Sequence, residues 1–173
     1  MKSMLRSGIV GLALLAGVAT APVLRAQANK PAKIKASAIR VEMIHSDEIK
    51  LPAEFQVSLY EDLIQQLEKK GGFQHIYRQG DRNAEKVADL VILHSTVTGF
   101  KKGNEELRQV TTVAGATSIK LHCVFKDKEG KALLESDVTG NVRFFGGNLR
   151  ATYDFAKKTA QIAHDSFSPT AGT

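Results

Sequence analysis

The sequence contains no tryptophan, one cysteine and four prolines in 173 residues, and aromatic residues make up 6% of it. A single cysteine excludes an intramolecular disulfide and any zinc site built on paired cysteines. Cys123 lies in "SIKLHCVF", in phase with Ile119, Leu121 and Phe125, so it reads as a buried strand thiol behaving as a small hydrophobe. Strand alternation sends the adjacent His122 to the opposite face. That removes the neighbour a reactive thiolate would need. Nucleotide-binding motifs are missing as well: neither G-x-x-x-x-G-K-[ST] nor G-x-G-x-x-G occurs. No G-x-S-x-G elbow holds a serine between a strand and a helix. Ser95, inside an apolar run, reads as a small packing residue. His45, His75, His94, His122 and His164 are scattered, and only His45, beside Asp47 and Glu48, hints at a surface ligand set. Glu105-Glu106 and the Asp127/Glu129 pair fall in expected turns, where charge is solvated. No catalytic residue, no metal and no cofactor is expected.

What is present begins with the N-terminus. "MKSMLR" supplies positive charge through Lys2 and Arg6, "SGIVGLALLAGVATAPVL" is an uncharged apolar stretch, and "RAQA" offers Ala26 and Ala28 in an A-x-A arrangement. This order predicts a signal peptide over residues 1–28 with cleavage after Ala28. Retention as an anchor is the alternative, because the apolar stretch approaches spanning length. Export to the periplasm or beyond the cell follows, with no transmembrane helix once the signal is removed. The leader carries Lys2, Arg6 and Arg25 and no acid, so its removal lowers the formal charge from +6 to +3. A mild excess with acids interspersed throughout excludes a nucleic-acid footprint.

Residues 29–37 read as a flexible leader, 38–167 as one domain and 168–173 as a disordered tail. Ile39, Val41 and Met43 alternate with Arg40 and Glu42 as in a half-buried strand. Pro52 suits the first position of a helix with Glu54 in its first turn. Phe55, Leu59, Leu63 and Leu67 recur at i+4 until Lys69-Lys70 and Gly71-Gly72 end the pattern. "FQHIYR" predicts a short strand, and "DLVILHSTVTGF" a central strand buried on both faces. "TSIKLHCVFKD" and "KALLESDVTGNVRFF" predict a hairpin closed through "DKEGK". A final helix is expected to open at Asn148 as N-cap, with Leu149, Tyr153, Ala156, Ala160, Ala163 and Phe167 on its buried stripe. The fold class expected is α+β, with two long amphipathic helices on one face of a mostly antiparallel four- to five-stranded sheet.

The segment "GFKKGNEELRQVTTVAGAT" (99–117) joins two of these strands. Gly99, Gly103 and Gly115 are its expected turn residues, with Gly103-Asn104 at the bend. Together with the flanking strands it resembles the bacterial DUF4410 family, through Gly99, Gly103-Asn104, Arg108, Gly115-Ala116 and the stretch from Asp127 to Gly130-Lys131. The resemblance spans residues 38–165 and implies a secreted or envelope domain of unknown function, with no catalytic residues to carry over. The order of elements is also similar to that of small α/β domains in envelope assembly proteins. The expected function is a non-enzymatic binding module of the bacterial envelope, with an envelope protein or cell-wall component as partner. Lys101, Lys102, Asn104 and Arg108 are its candidate contacts. An envelope hydrolase or transferase, and a small anion or lipid carrier, are the alternatives.

Overall fold

The computed structural model describes residues 32–110, 115–143 and 146–169, without the side chain of residue 108. The signal peptide and its cleavage after Ala28 therefore lie outside the described residues, as do 29–31 of the leader and 170–173 of the tail.

Eleven short and long elements follow one another among the described residues. They are β1 (Ile34–Lys35), β2 (Ala38–Val41), α1 (Ala53–Lys70), β3 (His75–Arg78), a 3-10 turn (Ala84–Lys86), β4 (Leu90–Lys101), α2 (Glu105–Val110), β5 (Thr117–Lys126), β6 (Ala132–Val142), α3 (Arg150–Ser166) and β7 (Phe167–Ser168). β2 to β6 form one five-stranded sheet in the order β3-β2-β4-β5-β6, while β1 and β7 form a separate two-stranded parallel ladder.

The expected fold class is overturned by this topology. Among the described residues there are three helices instead of two, and the large sheet is mixed, with a two-stranded parallel sheet besides it. β2 pairs in parallel with both β3 and β4, and only β4-β5-β6 are antiparallel. The cause is the position of α1. A helix following β2 carries the chain back over the sheet, so the next strand enters in the same direction, as a crossover connection requires. Tight turns alone would have reversed it.

α1 forms where its apolar period predicts. Pro52 is its N-cap and Ala53 its first helical residue, and Phe55, Leu59, Leu63, Ile64 and Leu67 are buried. α3 departs from expectation at its start. Asn148 is not its N-cap; Leu149 holds that position, and Leu149 and Tyr153 are exposed rather than on the buried stripe. The face that packs is Ala151, Thr152, Phe155, Ala156, Thr159, Ala160 and Ala163. The stripe is rotated because Phe155 supplies the bulk between small residues, and Tyr153 projects outward. Thr152 donates to Asp62 across the α1–α3 contact at 2.6 Å and Ser58 lies 2.9 Å from it. His164 meets Gly72 at the other end, so the two helices run in the same direction.

The core fills the space between these helices and the sheet. Phe55, Phe125, Phe155, Phe167, Ile39, Leu59, Leu63 and Leu93 are fully enclosed there. β4 is central but is not buried on both faces along its length. Its helix side (Val91, Leu93, Ser95, Val97) is buried, whereas Thr96 and Thr98 are exposed on the other. Only at its start does a small cluster of Ala38, Ala84 and Leu90 cover the outer face, capped by the 3-10 turn. Within residues 29–37, Ile34 and Lys35 pair with Phe167 and Ser168, and Ala36 is enclosed.

One buried group has no polar counterpart. Gln66, on α1, is 2% exposed, and its Nε2 has no hydrogen-bond partner among the described residues. A buried donor left unsatisfied costs about 1–3 kcal/mol. Gln66→Met keeps the side-chain length and removes the amide, so urea unfolding should show a gain of about 1 kcal/mol. A loss of stability would show instead that the amide is satisfied in solution.

Candidate functional site

The β4–α2 corner was the site expected from sequence, and the fold divides it. Lys101 ends β4 in register with Ser118, on the outer face of the sheet with Lys120. Lys102 lies beyond the strand and approaches Glu54 of α1, Nζ to Oε1 3.7 Å, on the helix side. Asn104 is committed to structure. Its Oδ1 accepts the N–H groups of Glu106 and Leu107 at 2.8 and 3.2 Å, which caps α2. Arg108 falls within α2, and its side chain lies outside the described residues. So the bend expected at Gly103-Asn104 is a strand-to-helix junction, and a short helix occupies what had read as an open connection. Residues 111–114 of that connection lie outside the described residues.

The three glycines do different things. Gly103 sits against the following segment, where a Cβ would lie 1.9 Å from the Gly115 carbonyl oxygen, and its N–H donates to Thr117 Oγ1 at 3.1 Å. Gly115 has φ 85°, in the left-handed region. Gly99 marks a register shift in the β4–β5 ladder, with only the flexible Lys120 side chain beside it. Thr117 donates in turn to Asn148 Oδ1, tying the start of β5 to the approach of α3.

The outer face of β4-β5-β6, away from α1 and α3, gathers the titratable groups. His122 and Asp137 are cross-strand partners, with Nδ1 and Oδ1 2.7 Å apart, and Glu135 lies 3.9 Å from His122 Nε2. His94 lies on the same face beside Val124. Burial, then the charge of Lys126, holds its imidazole below the ordinary histidine range. His45 joins Thr96 through an isolated bridge, which extends this row of side chains. Asp47 and Glu48, its sequence neighbours, are exposed. Among the described residues no group of three or more His, Cys, Asp and Glu side chains could hold a metal ion.

Cys123 and Ser95 occupy the other face, inside the core. Ser95 Oγ and Cys123 Sγ are 3.6 Å apart and both residues are buried. Burial pushes the thiol up to about 11, against smaller downward contributions from hydrogen bonds to Ser95 and Thr159. The thiolate is therefore scarce at neutral pH, and His122 faces away from it. A nucleophile on one face and its would-be base on the other cannot exchange a proton.

Sequence reasoning missed the His122–Asp137 pair. The hairpin was legible, but its register was not, because the β5–β6 ladder shifts between Phe125 and Lys126. Counted out from Lys126 opposite Ala132 without that shift, His122 would meet Ser136, on the wrong side of the pleat.

Among the described residues no helix is long and apolar enough to cross a membrane. No family model and no curated protein sequence matches the chain. Solved structures do resemble it. A variant of PelC from Paraburkholderia phytofirmans, described as a dodecamer, is 13% identical with TM-score 0.56, over 78% of this chain and 93% of that one. A second PelC dodecamer from the same organism is 12% identical with TM-score 0.55, over 76% and 89%. A Xanthomonas campestris protein described as DUF330 is 10% identical with TM-score 0.44, over 77% and 82%. The fold is shared with PelC; at such identity the likeness extends to nothing finer.

Proposed function

We propose that this chain is an exported, non-enzymatic module of the bacterial envelope that recognises a protein or cell-wall partner by surface contact. The observation that carries the reading is the one-sided covering of the sheet. α1 and α3 occupy one face, and most of the other presents Lys101, Lys120, His122, Glu135 and Asp137 with no element above them among the described residues. Lys101 belongs to this surface by register, Lys102 stands at its margin on the helix side of the β4–α2 corner, and Asn104 supports the corner from within. The leader and the DUF4410-type pattern support export to the envelope. PelC, with the same fold, is described as a dodecamer, which supports assembly as the mode of action.

The two alternatives meet specific obstacles. A hydrolase using Ser95 or Cys123 would need these core side chains to reach solvent. A lipid carrier needs an apolar cavity between helices and sheet, and that space is filled by four phenylalanines.

Photocrosslinking in intact cells tests the proposal, with the probe placed at Thr96 or Thr98 of the full chain. The expected result is a crosslink to one envelope component, in an extracytoplasmic fraction, lost on Lys101→Glu/Lys120→Glu substitution. Full-length chain confined to the cytoplasm, or no crosslink from either position, would overturn it.

A further inference from the structure

We propose that the cleft between the end of β6 and the first two turns of α3 is a binding site for a phosphate monoester carried on a sugar-sized ring. It lies apart from the outer sheet face and does not depend on the partner surface described above. The cleft has a volume of 430 Å³ and is lined by Asn141, Arg143, Arg150, Tyr153, Asp154 and Lys157, together with Val142. That size falls within the range of roughly 300–1,000 Å³ typical of small-molecule sites.

Its charge is lopsided. Three cations line it against one acid, and the acid is already neutralised: Asp154 Oδ2 accepts Lys158 Nζ at 2.7 Å and the Asn141 N–H at 2.9 Å. Arg143 and Lys157 are exposed and make no hydrogen bond or ion pair among the described residues. The Arg150 side chain passes over Gly146, where a Cβ would lie 2.2 Å from its Cδ. Glu105, the neighbouring acid from α2, is directed to the Asn148 N–H at 2.9 Å.

α3 has no acid in its first turn, and Arg150 begins it, at the end where the helix dipole already places partial positive charge. The first N–H groups do not draw the ligand, because those of Arg150, Ala151 and Thr152 are bonded to the carbonyls of Gly147, Asn148 and Leu149. Recognition falls to the side chains. A dianion complements Arg143 and Lys157, which have no partner among the described residues, and the Arg143 guanidinium has the paired N–H donors that grip phosphate oxygens. The second half of the ligand follows from Tyr153. Its ring is 46% exposed, one turn from Lys157 on the same helix face. A flat aromatic face beside a phosphate grip suits a ring lying against it.

Calorimetric titration of the full chain tests the site with glucose 6-phosphate, inorganic phosphate and glucose. Vesicles of phosphatidylcholine doped with phosphatidylinositol 4-phosphate separate a lipid source from a soluble one. Glucose 6-phosphate is expected to bind, glucose not. Arg143→Glu or Lys157→Glu should each weaken binding roughly tenfold or more, while Lys101→Glu/Lys102→Glu leaves it unchanged. Tyr153→Ala should weaken glucose 6-phosphate and leave inorganic phosphate unaffected. Vesicle binding lost with Arg143→Glu would support the same site with a lipid headgroup as the source of phosphate. Absence of binding in both phosphate-ester arms would overturn the proposal. So would binding that survives both charge reversals, or glucose 6-phosphate binding no tighter than inorganic phosphate. All the variant positions are exposed, so unchanged melting curves confirm that the chain remains folded.

Discussion

Gly140→Ala is expected to lower the stability of the fold by about 3 kcal/mol, and Gly140→Val by more. Gly140 lies in β6 directly under α3. A Cβ there would stand 2.0 Å from the Ala151 carbonyl oxygen and 2.7 Å from Phe155 Cβ. Both obstacles belong to the backbone or its first side-chain atom, so no rotamer change relieves them. The helix has to lift from the sheet, and Phe155, Ala156 and Ala160 lift with it. In thermal unfolding this corresponds to a fall of about 10 °C in Tm for a domain of this size. Gly99→Ala is the control, because its neighbour is only the flexible Lys120 side chain at 3.4 Å. A Gly140→Ala melting curve within a degree or two of that control would mean that α3 does not sit this close to β6.

The second large effect is expected from Phe125→Ala, at about 3–5 kcal/mol. Phe125 is fully buried in β5, and its ring centroid is 5.4 Å from that of Phe167, which in turn lies 5.6 Å from Phe73. Removing the first ring therefore leaves a cavity under β7 and also takes away the surface on which β7 rests. Phe125→Leu, which keeps most of the volume, should cost under about 2 kcal/mol. Hydrogen exchange distinguishes the two consequences. In Phe125→Ala the Ala36 N–H, bonded to the Ser168 carbonyl at 3.0 Å, should exchange faster than expected from the global loss alone. Equal acceleration across all strands would show that β7 does not depend on Phe125.

These two residues mark where the sequence was informative and where it was not. Phe125 was legible from alternation with Ile119, Leu121 and Cys123, because a half-buried strand writes its inner face into the chain at period two. α1 was legible for a similar reason, as its i+4 leucines have one arrangement that buries them. Gly140 was not legible, since a glycine inside a strand carries no information about which backbone approaches it. The same holds for strand direction: β2, β3 and β4 have the hydrophobic pattern of strands whatever their neighbours, and only the crossovers, α1 after β2 and residues 79–89 after β3, make them parallel. At the candidate site, Lys101 and Lys102 are adjacent in the chain yet leave on different sides of the sheet. Asn104 looked like a ligand contact because its polarity is identical whether it faces a partner or caps a helix. The 143–157 cleft could not be assembled either, because its cations come from two elements and their meeting depends on how β6 leads into α3.

The β1–β7 ladder has a consequence for how the chain comes to be made. Lys33 reaches the carbonyl of His164, 131 positions away, and Ile34 lies beside Phe167. The earliest strand among the described residues thus waits for the last one to be synthesised. Until then Ala36 and the ring of Phe73 have no cover from Phe167, and contacts so remote in the chain close late because of their loop entropy. A nascent chain is thereby kept from sealing its own core, and β1 and β7 of the finished fold are fastened to each other.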